Sequence, residues 1–230
     1  MKFPDLSGDT KYNFVVPIGS LEQHGPFAPF GTDTYVTDYL VDDVEKHFPE
    51  LVILPTLEFS RAQEHRDFFG TVYLTEETLA QVMFDICNSI FKRANHIFIT
   101  SFHHNEPYIE KFISEKSDFF QPAKIVLLDM INEDDDKKIE VMLGGPVDGH
   151  AGNTEISNML VIDESTVTLP NKDDAKFVVD DAFKTDNIAE ICPNGVADNH
   201  PDWIVNKEIG QKVLDIYAGR MVKILETYLK

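Results

Sequence analysis

Residues 13–33 read NFVVPIGSLEQHGPFAPFGTD. The opening run, 13–17 (NFVVP), is apolar throughout rather than alternating, which is the pattern of a strand buried on both faces. Three further runs share it: 51–55 (LVILP), 96–100 (HIFIT) and 125–128 (IVLL). Helical periodicity fills the intervals. Over 34–47, Val36, Tyr39, Leu40 and Val44 fall on one stripe. Over 75–93, Leu79, Val82, Met83, Ile86 and Ile90 do the same, with Thr75 as N-cap and Glu76 and Glu77 in the first turn. Ile109, Phe112, Ile113 and Phe120 mark a third helix over 107–120, and Val213, Tyr217, Met221, Ile224 and Tyr228 a fourth over about 201–228. Strands alternating with helices predict an α/β fold with a mainly parallel sheet and right-handed crossovers. In such folds ligands bind beyond the carboxyl ends of the strands, so functional residues are expected just after them.

The composition limits what those residues can do. The chain has 230 residues and a net charge of −20, from 20 Lys and Arg against 40 Asp and Glu. A general nucleic-acid binder needs clustered cations to neutralise phosphates, and an anionic membrane would repel this chain, so neither partner is expected. The acidity reads as a property of the solvated surface, in runs such as 132–140 (NEDDDKKIE), a loop or helix start whose spacing does not match a calcium-binding loop. Cys87 and Cys192 are far apart in sequence and read as reduced, buried thiols. No apolar core of a secretory signal follows Lys2 and no run of about 18 apolar residues occurs, so a cytoplasmic protein is expected.

Three segments carry ligand-type side chains where the fold expects a site. After the first strand come Glu22 and His24, two apart and hence on one side of an extended chain, and then Asp33 at the start of a helix. After the third strand comes Ser101-Phe102-His103-His104-Asn105-Glu106. His150 sits in a Gly-flanked turn, with Glu155 in the first turn of the helix that follows. Carboxylates and imidazoles without clustered cysteine suit Zn²⁺, Mn²⁺ or Fe²⁺. Each residue also has a structural use: Asp33 as a helix cap, Glu155 as a carboxylate at a helix N-terminus.

The stretch 17–33, PIGSLEQHGPFAPFGTD, resembles the N-terminal signature of the creatininase (creatinine amidohydrolase) family. The resemblance continues in order to Gly210. Glu64-His65 and Phe69-Gly70-Thr71 stand where relatives have a His followed by Phe-Pro-Gly-Thr. Ser101-Phe102-His103 stands for Asn-Gly-His, and Gly149-His150-Ala151-Gly152 with Glu155-Ile156-Ser157 for the Gly-His-Ala-Gly…Glu-Thr-Ser segment. Gly195-Val196 and Lys207 to Gly210 fit a looser pattern.

The resemblance implies a three-layer αβα, creatininase-like domain over 1–230 with two divalent ions. Glu22, Asp33 and His103 would hold one ion, and His24, Asp33 and Glu155 the other, with Asp33 bridging. Two such ions about 3.5–4 Å apart can hold a hydroxide and polarise a carbonyl, which suits hydrolysis of a small cyclic amide or a formamide. His150 would move a proton to the leaving nitrogen, and His104 and His65 are candidates to contact substrate. A homo-oligomer is also implied. Phe102 and His104 replace glycines of many relatives, and Asn105 stands where creatininase itself has a carboxylate, so Glu155 must supply that ligand. The only tryptophan, Trp203, lies away from the catalytic histidine, which argues against creatinine as substrate. The altered segment also leaves open a non-catalytic binding or assembly protein on the same fold.

Overall fold

The structure is a computed structural model that describes residues 9–178 and 187–229. The first eight residues, on which part of the N-terminal reading rests, lie outside it. Four strands form one parallel sheet in the order β2-β1-β3-β4: β1 (Tyr12–Ile18), β2 (Leu51–Ile53), β3 (Ala94–Ser101) and β4 (Lys124–Leu127). Val15 of β1 pairs with Ile53 of β2 on one side and with Phe98 of β3 on the other.

Alternate residues of each strand feed two separate cores, which explains why the strands read as continuous apolar runs. Val15 and Phe98 pack into one layer with Val36 and Leu40 of α1 (Thr32–His47) and Val213 and Met221 of α6 (Lys207–Leu229). Phe14, Val16, Ile97 and Ile99 pack into the opposite layer with Leu79 and Met83 of α2 (Glu76–Ile90) and Ile109 and Phe112 of α3 (Glu106–Lys116). The result is the three-layer αβα arrangement, with side chains of period two on the sheet meeting helices of period 3.6 on both faces.

Element ends differ from the periodicity in instructive ways. The second and third helices tighten into 3₁₀ turns at Phe91–Arg93 and Ser117–Phe120. The last helix begins at Lys207 rather than near 201, because the preceding residues bond elsewhere: the Ile204 N–H donates to Asn153 Oδ1 (2.7 Å), and Asn206 Oδ1 accepts from the Ile209 N–H (3.0 Å) as a cap. The acidic run is a true helix, α4 (Glu133–Leu143). Asn132 Oδ1 accepts from the N–H groups of Asp134 and Asp135 at its start, and Gly144 closes it at φ 71°. Cys87 and Cys192 are free and buried, and burial pushes their thiols up to about 12 and about 11, so both stay protonated. No helix among the described residues is long and apolar enough to cross a membrane.

α5 (Asn153–Asp163) and α6 make the closest helix contact near the site. A methyl group built on Gly210 would overlap the Ser157 carbonyl and lie 2.9 Å from the Asn158 nitrogen. Only glycine lets the two backbones meet there.

Candidate metal centre

β1 ends at Ile18, and the chain beyond it is no longer a regular strand. Two isolated bridges, Leu21 with Val72 and His24 with Pro26, hold it, and Gly25 turns it at φ 61°. Glu22 and His24 are both fully buried at this strand end. Asp33 enters from the first turn of α1, His103 from the turn between β3 and α3, and Glu155 from the first turn of α5. The placement beyond the strand ends is the one the topology predicts.

Two triads form. Glu22, Asp33 and His103 each bring one ligand-type atom within 4.8 Å of the others, and so do His24, Asp33 and Glu155. Asp33 belongs to both: its Oδ1 lies 3.5 Å from His24 Nε2 and its Oδ2 lies 3.7 Å from His103 Nδ1. Glu155 Oε2 is 3.6 Å from His24 Nε2, and Glu22 Oε2 is 3.0 Å from His103 Nδ1.

Each ring is fixed through its other nitrogen. His24 Nδ1 donates to the Glu22 carbonyl (3.1 Å), and His103 Nε2 donates to the Arg61 carbonyl (2.8 Å). A carbonyl can only accept, so these bonds set the tautomers and aim His24 Nε2 and His103 Nδ1 at the carboxylates. This is how ligand histidines are held. Glu22 Oε1, His24 Nε2 and Asp33 Oδ2 are buried without a hydrogen-bond partner among the described residues. Buried polar groups are seldom left so. Atoms of this kind on two carboxylates and an imidazole that belong to the same triads fit a divalent cation, although Glu22 Oε1 also has His65 Nε2 at 3.2 Å.

The electrostatics agree. Burial opposes charge on His24, yet Asp33, Glu155 and Glu22 outweigh it and raise its pKa to about 10. Burial raises Glu155 to about 8, with Asp33 and Asp148 adding to it against His24. His103 is also raised well above the usual range by Glu22 and Asp33 despite its burial. Protons thus occupy the metal-free site at neutral pH, and ligation must expel them. Divalent-ion uptake is therefore expected to release protons, and affinity to climb with pH until His24 is free of its proton near pH 10. Calorimetry in buffers of differing ionisation enthalpy checks this; uptake without proton release would contradict it.

His150 and His65 lie beside this pair of triads. The His150 ring centroid is 4.5 Å from that of His24 and 4.3 Å from that of His65. Its Nε2 donates to the Gln23 carbonyl (2.7 Å), and its Nδ1 is 3.7 Å from Glu22 Oε1. Burial, with His65 and His24 nearby, holds His150 well below the ordinary histidine range. It is neutral at pH 7 rather than poised near neutrality. His65 is buried as well, 3.2 Å from Glu22 Oε1. His104 is exposed, with Nδ1 3.2 Å from Glu106 of α3, and it lines a cavity of about 440 Å³ that also reaches Glu22 and Asp33. Phe102 lines the same cavity and packs on Tyr217 (5.7 Å between centroids), so the bulky replacement turns toward α6. Asn105 is bonded to Ser101 Oγ (3.0 Å) ahead of α3.

Three residues to which the sequence reading gives no role hold the site. Gln23 would point away from Glu22 and His24 in a straight strand. The irregular backbone instead brings it inward, where its Nε2 donates to the Gly195 carbonyl (3.2 Å) and approaches His65 Nδ1 at 3.0 Å. Glu64, paired with Arg61, lies 3.6 Å from His103 Nε2. Asp148 accepts from the Gly152 and Thr154 N–H groups (3.1 and 3.0 Å) and so anchors the start of α5. The Gly-His-Ala-Gly segment pointed to that turn, and Ala151 takes it at φ 54°.

With this geometry in hand, the comparisons with known proteins are specific. The creatininase family model, described as creatinine amidohydrolase, matches residues 2–225. The structure superposes on a creatininase variant complexed with creatine at a TM-score of 0.81 and 19% identity, over 100% of this chain and 96% of that one. A manganese creatininase matches at 0.74 and 18% identity, over 95% and 91%. Among curated proteins, the mycofactocin precursor peptide peptidase of Mycolicibacterium smegmatis is 30% identical over 94 residues, 39% of this chain and 38% of that protein. That alignment therefore spans well under half of the relative's length. A family match over nearly every residue, on a fold that superposes from end to end, makes this chain a member of the creatininase family.

Proposed function

We propose that the protein is a binuclear metal-dependent amidohydrolase that cleaves an amide C–N bond of a small molecule, a cyclic amide, a formamide or a short peptide. The observation that carries this reading is the set of unpartnered buried atoms, Glu22 Oε1, His24 Nε2 and Asp33 Oδ2, shared between two triads. Glu22, Asp33 and His103 would hold one divalent ion and His24, Asp33 and Glu155 the other. Zinc, manganese or iron suits this oxygen and nitrogen donor set, and a manganese form is found among the solved creatininases. Bound ions supply Lewis acidity, activating water and polarising the scissile carbonyl.

The chain's own side chains do the rest. His24 and His103 stay oriented because their second nitrogens are tied to carbonyls. Neutral His150, whose Nε2–H is committed to Gln23, presents Nδ1 as a proton acceptor on the Glu22 side and can return that proton to the leaving nitrogen. His65 and Gln23 keep the His150 ring in place, and His104 at the cavity wall contacts substrate. Short peptides enter the substrate list because a curated relative is named as a peptide peptidase.

Purified protein saturated with Mn²⁺ or Zn²⁺ should hold up to two ions per chain and hydrolyse members of a panel of cyclic amides, formamides and short peptides. His150→Ala should keep the ions and lower kcat by roughly 10²–10⁴-fold, the usual worth of a general base. A chain that takes up no ion, or one that binds ions but cleaves nothing in the panel, would favour the non-catalytic alternative.

The assembly proposed is a homo-oligomer. Phe30, Tyr35, Phe59, Phe69, Val72 and Tyr73 are exposed in two segments, and these meet where Phe30 approaches Gly70. The Phe30 carbonyl also accepts from the Glu22 N–H (3.0 Å), so this apolar surface adjoins the site. Exposed apolar clusters of this kind mark association surfaces. Light scattering should report a multimer, and Phe69→Glu should weaken it.

A further inference from the structure

We propose that the substrate of this site carries a cationic group, an amine or guanidinium on an apolar stem, received by Glu110 and Asp136. The proposal rests on the amide-hydrolase reading above and specifies its substrate class. The cavity that reaches Glu22 and Asp33 is lined by eight carboxylates and, among the described residues, by no lysine or arginine.

Most of these carboxylates already have an occupation. Glu22, Asp33 and Glu155 belong to the triads. Asp148 is spent on the start of α5, Asp129 is held by Arg220 (Nη2 at 2.5 Å), and Glu106 stands 3.2 Å from His104. Glu110, one turn along α3 from Glu106, and Asp136, in the first turn of α4, have no cationic partner among the described residues. Ions bound at the triads would neutralise the ligand carboxylates but leave these two uncompensated.

Asp136 is half buried, and its carboxyl is pushed up by that burial and by Glu140, Asp135, Glu133 and Asp129 around it. An uncompensated, partly desolvated carboxylate gains from a cation brought beside it. The wall of the same cavity offers Phe102, Leu127, Ile131 and Val147, a surface for methylenes. An alkyl stem against apolar side chains with a charged head among carboxylates is the way a lysine-like chain distributes itself. Glu22, Asp33 and Glu155 line the same cavity, and Asp33 Oδ2 is buried there without a hydrogen bond, so a ligand anchored by its cation would extend toward the candidate metal centre.

The test uses manganese-loaded protein and two blocked tripeptides, N-acetyl-Ala-Lys-Ala amide and the same peptide with the lysine acetylated. Calorimetry reads affinity, and mass spectrometry of the same samples reads cleavage. The free amine should bind about ten-fold more tightly at low salt, the worth of one pair of partly buried charges. Glu110→Gln with Asp136→Asn should remove most of that difference while leaving the melting temperature and metal content unchanged. Equal affinity of the two peptides, or a preference that survives the double substitution, overturns the inference whether or not either peptide is cut. A charge preference that obeys the double substitution without any cleavage upholds the inference and counts against the hydrolase reading.

Discussion

Asp33→Ala is expected to strip both ions from the protein and to lower amide hydrolysis on the order of a thousand-fold or more, since every metal-dependent contribution goes with it. The argument is geometric. Asp33 is the one residue common to both triads, with one carboxylate oxygen toward His24 and the other toward His103. Losing Glu155 or His103 would cost one triad a ligand, whereas losing Asp33 costs both. The fold should survive, because the side chain's partners, His24 and His103, belong to the site and not to the packed layers, and an acid in the first turn of α1 has only a modest worth, about 0.3–1 kcal/mol. A second readout separates ligation from packing. Asp33 is the foremost of the charges that raise His24, so in the metal-free variant that ring should titrate well below pH 10 by NMR. Retention of either ion at wild-type affinity would remove Asp33 from the bridging position.

Gly210→Ala is expected to destabilise the protein by about 3 kcal/mol, the upper part of the range for overpacking a close contact. Alanine in a helix is otherwise favoured over glycine by about 1 kcal/mol, so a loss reports the clash with Ser157 and nothing about propensity. The backbone of α5 has no flexible end to move aside, and the two helices must separate. Glu155 rides on α5 two residues before Ser157. The fraction that still folds should therefore bind metal more weakly, although Gly210 touches none of the ligands. Thermal denaturation and a metal titration on the same preparation check both parts. A variant as stable as the parent would show that α5 and α6 are not locked at this point.

The fold was readable because its signal is local. A strand buried on both faces must be apolar at every position, and NFVVP, HIFIT and IVLL are. The residues that the fold gathers at the candidate site were readable as a group because the segments after strand ends are where such folds place functional side chains, and because the family resemblance covers those segments. Three things were not legible, each for a physical reason. Gln23 depends on a backbone irregularity after Ile18 that alternation cannot foresee. The charge state of His150 depends on burial beside two other imidazoles, which are far from it in sequence. The acidic run 132–140 looked like solvated surface, yet α4 carries Asp136 to the wall of the cavity while Asp134 stays in solvent. Which acid of a run faces inward is settled by helix phase and by Asn132 fixing where the first turn begins.

The irregular chain after β1 meets the turn before α5 across a large sequence separation: Gln23 and His150, in contact, are 127 positions apart. In terms of the order of assembly, the pairing of the four described strands needs nothing beyond β4, since all of them lie before residue 128. The candidate metal centre needs α5 as well. During synthesis the cluster of Glu22, Asp33 and His103 can gather as soon as β3 is in place, and it must wait with its unpartnered acids until the later segment docks. Cation uptake at the proposed site would then tie the early part of the chain to α5, closing a long loop in the manner of a crosslink. Complete loading of the centre would thus report that α5 has reached its place.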